Sequence, residues 1–186
     1  MTDAAGPVGT LEVALGHARQ LIDEAPALAA EQATEILRVV PGQPMATLLL
    51  GVARHRLGQL PGSLAILEPL VRQHPQWAVA HHELGLALAS AGRGEDAVAA
   101  LRRAVELDPR LSAAWLALGD HLTAMGEAAG ADAAYAEHIR HSTQDPRLLA
   151  AGAALCENRV PAAEALLREH LRQQPTDVAA AQEENR

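Results

Sequence analysis

The side chains of this sequence that could do chemistry are mainly its nine histidines. Glu137, His138 and His141 lie close together on one predicted helix, and His81 and His82 are adjacent. In the zinc motif H-E-x-x-H, two histidines four residues apart share a helix face, whereas the spacing here is three. A third ligand is not evident, so we interpret these histidines as packing or surface residues rather than as a metal site.

Cys156 is the only cysteine, which excludes an internal disulfide and is typical of a reducing compartment. No histidine–asparagine or histidine–aspartate pair is evident beside it, and its helix is apolar. We therefore expect a buried, inert thiol. A phosphate-binding loop needs a lysine, and all the basic residues are arginines. The pattern G-x-S-x-G is also absent, so we predict no catalytic and no cofactor-binding residues.

Glycine, proline and leucine recur every 34 residues along the chain. The matching positions are Gly51, Gly85 and Gly119; Gly58, Gly92 and Gly126; Pro41, Pro75 and Pro109; and Leu50, Leu84 and Leu118. A fixed period of this length indicates one supersecondary unit that is repeated and stacked on itself.

Residues 78–111 form the clearest unit, with two amphipathic helical patterns. Leu84 and Leu88 share a face in the first half, and Leu101 marks the apolar face of the second half. Gly92 lies between the halves and supplies the permissive backbone of a tight turn. Pro109 ends the second helix.

These patterns predict an all-α fold, a right-handed superhelical solenoid of about five antiparallel helix pairs. The first unit is weaker, because His17 holds its glycine position, and the fifth is about two residues short in its first half. We also expect Pro69 to kink the helix that contains it. The predicted segments are a flexible N-terminus at 1–9, a repeat domain at 10–175 with units at about 10–43, 44–77, 78–111, 112–143 and 144–175, and a capping helix or tail at 176–186.

The repeated residues resemble those of the tetratricopeptide repeat family over about residues 10–175. In that family a large residue, Leu, Gly and a large residue mark helix A, and small, large and small residues followed by Pro mark helix B. The corresponding residues here are His81, Leu84, Gly85, Leu88, Ala97, Leu101, Ala104 and Pro109. The last two units depart from the pattern, since His138 and His170 replace a small residue of helix B.

The resemblance implies that five places of helix A line a concave groove that binds another protein. The row is apolar with polar groups on one flank, which suits an amphipathic helix or an extended peptide. The alternative is that some of these side chains pack between helices instead. The candidate partner-binding residues are Met45, Leu48, Val52, His55, Arg56, Val79, His82, Leu86, Ser90, Leu116, Asp120 and Thr123.

At a finer level, three runs are similar to the N-terminal repeats of bacterial tetratricopeptide-repeat sulfotransferases. They are LLLGVARHRLGQLPGSLAILEPLV, GDHLTAMGEAAGADAAYAEHIRHSTQDPRLLAA and LREHLRQQPTDVAA. In that family a catalytic α/β domain follows the repeats and binds the phosphosulfate donor with a strand–loop–helix. This chain contains no such loop. The resemblance implies an alternative function, a non-catalytic region for recruitment or dimerisation.

Composition and charge restrict the classes of partner that the chain can bind. The net charge of −8 and pI of about 5.5 exclude the concentrated positive field that nucleic acids require. The N-terminus lacks a signal-peptide pattern, and no run is apolar enough to span a membrane. We therefore expect a soluble, cytoplasmic protein without cofactors whose partner is another protein or peptide. A homo-oligomer is compatible with the sequence, and a metal-binding or redox protein is the third interpretation.

Overall fold

The structure, a computed structural model, describes residues 10–142 and 146–173, with side chains through Arg172. The described residues form α-helices and no strands, which confirms the all-α prediction. The predicted segments 1–9 and 176–186 lie outside the described residues. The ten helices of the described part are α1 (Leu11–Glu24), α2 (Pro26–Val39), α3 (Pro44–Arg56), α4 (Leu60–Gln73), α5 (Ala78–Ser90), α6 (Gly94–Leu107), α7 (Ser112–Ala124), α8 (Ala128–Ser142), α9 (Pro146–Cys156) and α10 (Val160–Gln173).

The chain divides into two compact units, unit 1 at residues 1–92 and unit 2 at residues 93–186. Unit 1 contains α1 to α5 and unit 2 contains α6 to α10. Odd-numbered helices are the A helices of the predicted motifs, and even-numbered helices are the B helices. The division between the units falls in the A–B turn of the third motif.

Within each unit, every helix contacts the next helix along the chain. Connections of one to four residues join them. Such short connections make neighbouring helices antiparallel. In unit 1 the A helices also contact one another, α1 with α3 and α3 with α5, so their exposed residues form one surface.

The A–B turns of the second, fourth and fifth motifs share one helix-ending geometry. Gly58 and Gly126 have φ angles of 71° and 79°, which favour glycine. In the fifth motif Asn158 takes this place with φ 54°. The Gln59 amide donates to the Arg54 carbonyl at 2.9 Å, and the Arg159 amide donates to that of Ala154 at 2.8 Å, as in a Schellman motif.

The fifth motif is shortened within its A helix. Helix α9 has 11 residues, whereas α7 has 13. The two turn residues, Gly126 and Asn158, are accordingly 32 rather than 34 positions apart. This places the two-residue shortening in the first half of the motif, where the sequence predicts it.

Two of the junctions between motifs use the recurring proline carbonyls as acceptors. His81 Nε2 lies 3.2 Å from the Pro75 oxygen, and Trp115 Nε1 donates to the Pro109 oxygen at 2.9 Å. Histidine and tryptophan thus perform the same task 34 residues apart. Trp77 directly precedes α5. Each unit therefore has one tryptophan beside a junction.

Glycine permits close approach of the A and B helices. A Cβ atom added to Gly51 would lie 2.6 Å from Leu67 Cδ2, and one added to Gly119 would overlap the Tyr135 ring. Both glycines therefore lie where an A helix packs closely against the next B helix. Helix α4 runs from Leu60 to Gln73 with Pro69 inside it, so the proline does not end the helix.

Candidate partner-binding face

The A-helix face of unit 1 is the surface formed by the predicted binding residues of α3 and α5 beside α1. Three of these residues are buried, namely Leu48 at 4% exposure, Val52 at 6% and His82 at 9%. They support the surface from beneath. The accessible residues are half-buried Met45, His55 and Leu86, and exposed Arg56, Val79 and Ser90.

A hydrogen bond between His55 and Ser90 links neighbouring A helices, with His55 Nε2 2.8 Å from Ser90 Oγ. Ser90 uses its only proton to donate to the Leu86 carbonyl at 3.0 Å. His55 Nε2 must therefore be the donor, which leaves the lone pair on Nδ1. A histidine in this tautomer cannot take the serine proton. The pair is consequently a link between helices, not a nucleophile with its base.

Burial lowers the pKa of His55 below its ordinary value of 6.5. The neighbouring Arg56 charge lowers it further, and Glu83 opposes the shift. His55 Nδ1 is buried and has no hydrogen-bond partner within the described part of the chain. The imidazole is therefore neutral near pH 7.

An ion pair adds a polar flank to the A-helix face. Arg56 Nε on α3 lies 3.4 Å from Asp23 Oδ1 on α1, and both side chains are exposed. An exposed pair of this kind contributes little to stability. Sequence analysis omitted Asp23 because it lies in the weakest motif, although its place near the end of an A helix was a usable signal.

In unit 2 the predicted residues Asp120 and Thr123 meet at the hydroxyl of Tyr135. The Tyr135 oxygen lies 3.0 Å from Thr123 Oγ1 and donates to Asp120 Oδ1 at 3.1 Å. Leu116, the third predicted residue, is half-buried on α7. Tyr135 occupies the large-residue position of helix B, where the second and third motifs have Leu67 and Leu101. Its polar role depends on a hydroxyl that these leucines lack.

A cavity of about 260 Å³ lies beside this cluster in unit 2. It opens between the A–B turns of the last two motifs. Its walls are apolar except for two carboxylates and two hydroxyls. The side chains that define it are Thr123, Asp132, Tyr135, Leu155, Glu164 and Leu167.

The two helix histidines considered as metal ligands, His138 and His141, each interact with a different group of the protein. His138 Nδ1 lies 2.9 Å from the Ser112 carbonyl oxygen, and His141 Nε2 lies 3.5 Å from Glu137 Oε2. Over residues 10–142 and 146–173, no three His, Cys, Asp or Glu side chains are grouped so that they could hold a metal ion.

The expectation that Cys156 is buried is wrong, because its thiol is exposed. Cys156 is the last residue of α9, where the helix has passed its buried positions Ala151 and Ala154. Arg140 lies 4.0 Å from the sulfur.

A membrane-spanning length of apolar helix does not occur among the described helices.

Residues 23–77 and 78–121 each match the tetratricopeptide repeat family. Together they cover more than half of the 186 residues. None of the curated proteins matches the sequence.

Solved structures share the fold at low sequence identity. TTC0263, a thermophilic tetratricopeptide repeat protein of Thermus thermophilus, is 22% identical, with a TM-score of 0.69 over 92% of this chain and 95% of that chain. The Cut9–Hcn1 hetero-tetramer of the APC/C gives a TM-score of 0.71 at 20% identity over 95% of this chain and 36% of that chain. An O-GlcNAc transferase of Thermobaculum terrenum gives a TM-score of 0.64 at 22% identity over 70% of this chain and 26% of that chain. The predicted all-helical solenoid class is confirmed.

Proposed function

Because this chain belongs to the tetratricopeptide repeat family, we propose that it is a protein–protein interaction scaffold that binds a peptide or helix of a partner along its A-helix face. Repeat arrays present extended surfaces assembled from successive motifs, and such surfaces are used for binding. The Cut9–Hcn1 hetero-tetramer is one structure of this fold in an assembly.

The observation that carries the proposal is the continuous A-helix face of unit 1. Helices α3 and α5 are in contact, and the bond between His55 and Ser90 fixes them side by side. Val79 is 38% exposed and Leu86 is half-buried on this face. An accessible apolar strip with Arg56 on its flank matches the apolar and polar sides of an amphipathic segment.

Site-specific photo-crosslinking tests the proposal. A benzophenone amino acid in place of Leu86 should crosslink a partner protein in cells, and mass spectrometry should identify one recurring segment of it. Ala65 is the matched control, because it is exposed on a B helix of the same unit. Equal yields from both positions, or no crosslink from Leu86, would contradict the proposal.

The substitution Leu86→Glu should weaken capture of the crosslinked partner roughly tenfold or more, because it places a charge on the apolar strip. Helical circular dichroism should change little, since Leu86 is only half-buried. Ala65→Glu serves as the charge control. Loss of helical signal in Leu86→Glu alone would show that Leu86 belongs to the core.

The alternative function, recruitment or dimerisation beside a sulfotransferase domain, rests on the sequence resemblance alone. The likeness to the O-GlcNAc transferase, of which this chain covers 26%, is a likeness of fold. Reading the gene beyond Arg186 for a phosphate-binding loop tests this alternative. Sedimentation velocity of the purified chain tests self-association, and fractionation of cells tests the cytoplasmic assignment.

A further inference from the structure

We propose that the cavity of unit 2 binds the cationic side chain of an arginine or lysine of a partner protein. This inference rests on the proposed function and specifies the partner. The cavity lies next to Asp120 and Thr123, which belong to the predicted binding row of α7. A segment lying along that row could therefore place one side chain in the cavity.

The polar side chains that line the cavity are all hydrogen-bond acceptors toward a guest. Thr123 Oγ1 lies 2.9 Å from the Gly119 carbonyl oxygen and 3.0 Å from the Tyr135 hydroxyl, and that hydroxyl lies 3.1 Å from Asp120 Oδ1. These three contacts take up both hydroxyl protons, and the remaining polar groups, Asp132 and Glu164, are carboxylates. A guest must consequently bring donors and no acceptor, which is the inventory of a guanidinium or an ammonium group.

Asp132 is the carboxylate best placed to pair with the guest. Glu164 is already bonded to Arg168, whose Nη2 lies 3.2 Å from Glu164 Oε2. Asp132 is half-buried and has no hydrogen bond or ion pair in the described part of the chain. A cation that pairs with a half-buried carboxylate forms a stronger hydrogen bond than one at an exposed site.

The apolar walls and the size of the cavity suit one long side chain. Its 260 Å³ is below the roughly 300 Å³ at which sites for drug-sized ligands begin. Leu155, Val160 and Leu167 would contact the methylene groups of the guest while its charged end reaches Asp132. The net charge of −8 adds long-range attraction for a basic segment.

Methyl NMR of the full chain with N-acetylarginine methylamide tests the inference. Saturable shifts should be confined to the methyl groups that line the cavity, which belong to Thr123, Ala128, Ala131, Leu155, Val160, Ala163 and Leu167. N-acetylcitrulline methylamide has nearly the same shape without the charge. It should bind at least roughly tenfold more weakly, because it lacks the charge-assisted bond.

Asp132→Asn should weaken binding of the arginine amide by a similar factor. The matched control is Glu106→Gln, which removes one negative charge from the same unit at an exposed position paired with Arg103. Ala128→Phe, a change at an exposed residue of the cavity wall, should block binding without relying on charge. Circular dichroism verifies that each variant is folded.

Equal binding of arginine and citrulline amides, unchanged binding by Asp132→Asn, or shifts away from the cavity would each overturn the inference. The NMR result for the cavity and the crosslinking result for the A-helix face can differ, so each tests its own proposal. Binding of the arginine amide that depends on Asp132, without a crosslink at Leu86, supports the cavity and contradicts the scaffold proposal on unit 1. A partner that crosslinks at Leu86 and is captured equally well by Asp132→Asn supports the scaffold proposal and contradicts the cavity inference.

Discussion

At the scale of single residues, the A–B contact of a motif combines one small residue with one large residue. Gly119 faces Tyr135 in the fourth motif, and Gly51 faces Leu67 in the second. The first motif differs, with His17 at the glycine position and Ala33 at the place of the large residue. Ala33 is fully buried and His17 is exposed. His17 Nδ1 lies 3.0 Å from Gln32 Oε1, so this side chain joins the two helices of the first motif at their surface.

Gly119→Ala should lower the free energy of unfolding by about 1–3 kcal/mol, because the new methyl group would overlap a buried aromatic ring. Gly16→Ala is the matched control. An added Cβ there meets no atom within 4 Å, so the helix should gain about 0.5–1 kcal/mol. Urea denaturation measures both, and similar changes in the two variants would contradict this packing.

Acidification should destabilise the protein through His55. Because the pKa of His55 is lowered in the folded state, the unfolded chain binds more protons than the folded chain as the pH falls below 6.5. The contribution of neutral His55 is fully present above pH 6.5 and is lost as the pH falls through the folded pKa. The free energy of unfolding should therefore fall less steeply with acid in His55→Gln than in the wild type. If the free energy of unfolding of both proteins falls equally with acid, the lowered pKa of His55 is contradicted.

Sequence could identify the residues of the A-helix face but not their accessibility. The repeat places Leu48 and Val52 in the row by position, yet both are buried by neighbouring helices of unit 1. The exposure of Cys156 was missed for a related reason. Its apolar surroundings predict burial, whereas the helix end turns the thiol to the surface.

At the scale of elements, the A–B turn tolerates a change of residue because its geometry allows either glycine or asparagine. The turn needs one residue with positive φ, and asparagine is the side chain that most readily replaces glycine there. The sequence showed the shortened fifth motif. It did not show that Asn158 had taken over the turn, since the two-residue shift moved it out of the 34-residue register.

Asn158→Ala should cost about 1 kcal/mol of stability, because alanine is strained at a φ of 54°. Asn158→Gly should leave stability nearly unchanged or slightly raised. Thermal unfolding monitored by far-ultraviolet circular dichroism compares the two variants directly. If alanine is tolerated as well as glycine, the turn does not hold positive φ in solution.

At the scale of the whole molecule, the all-α class follows from the 34-residue period, and the structural likeness to tetratricopeptide repeat proteins confirms it. The division into units at Gly92 and Arg93 could not be predicted from that period. Successive motifs of a repeat array pack directly on one another, so a repeat sequence contains no linker that would mark a boundary. The cavity likewise depends on side-chain volumes at two successive turns, which periodicity does not specify.

The two tryptophans beside the junctions give the molecule a built-in pair of optical reporters. Trp77 belongs to unit 1 and Trp115 to unit 2, and the chain has no others. Replacing either indole with phenylalanine leaves a fluorophore that monitors one half alone. Emission during denaturation can thus show whether the halves melt together or one after the other, without any attached dye.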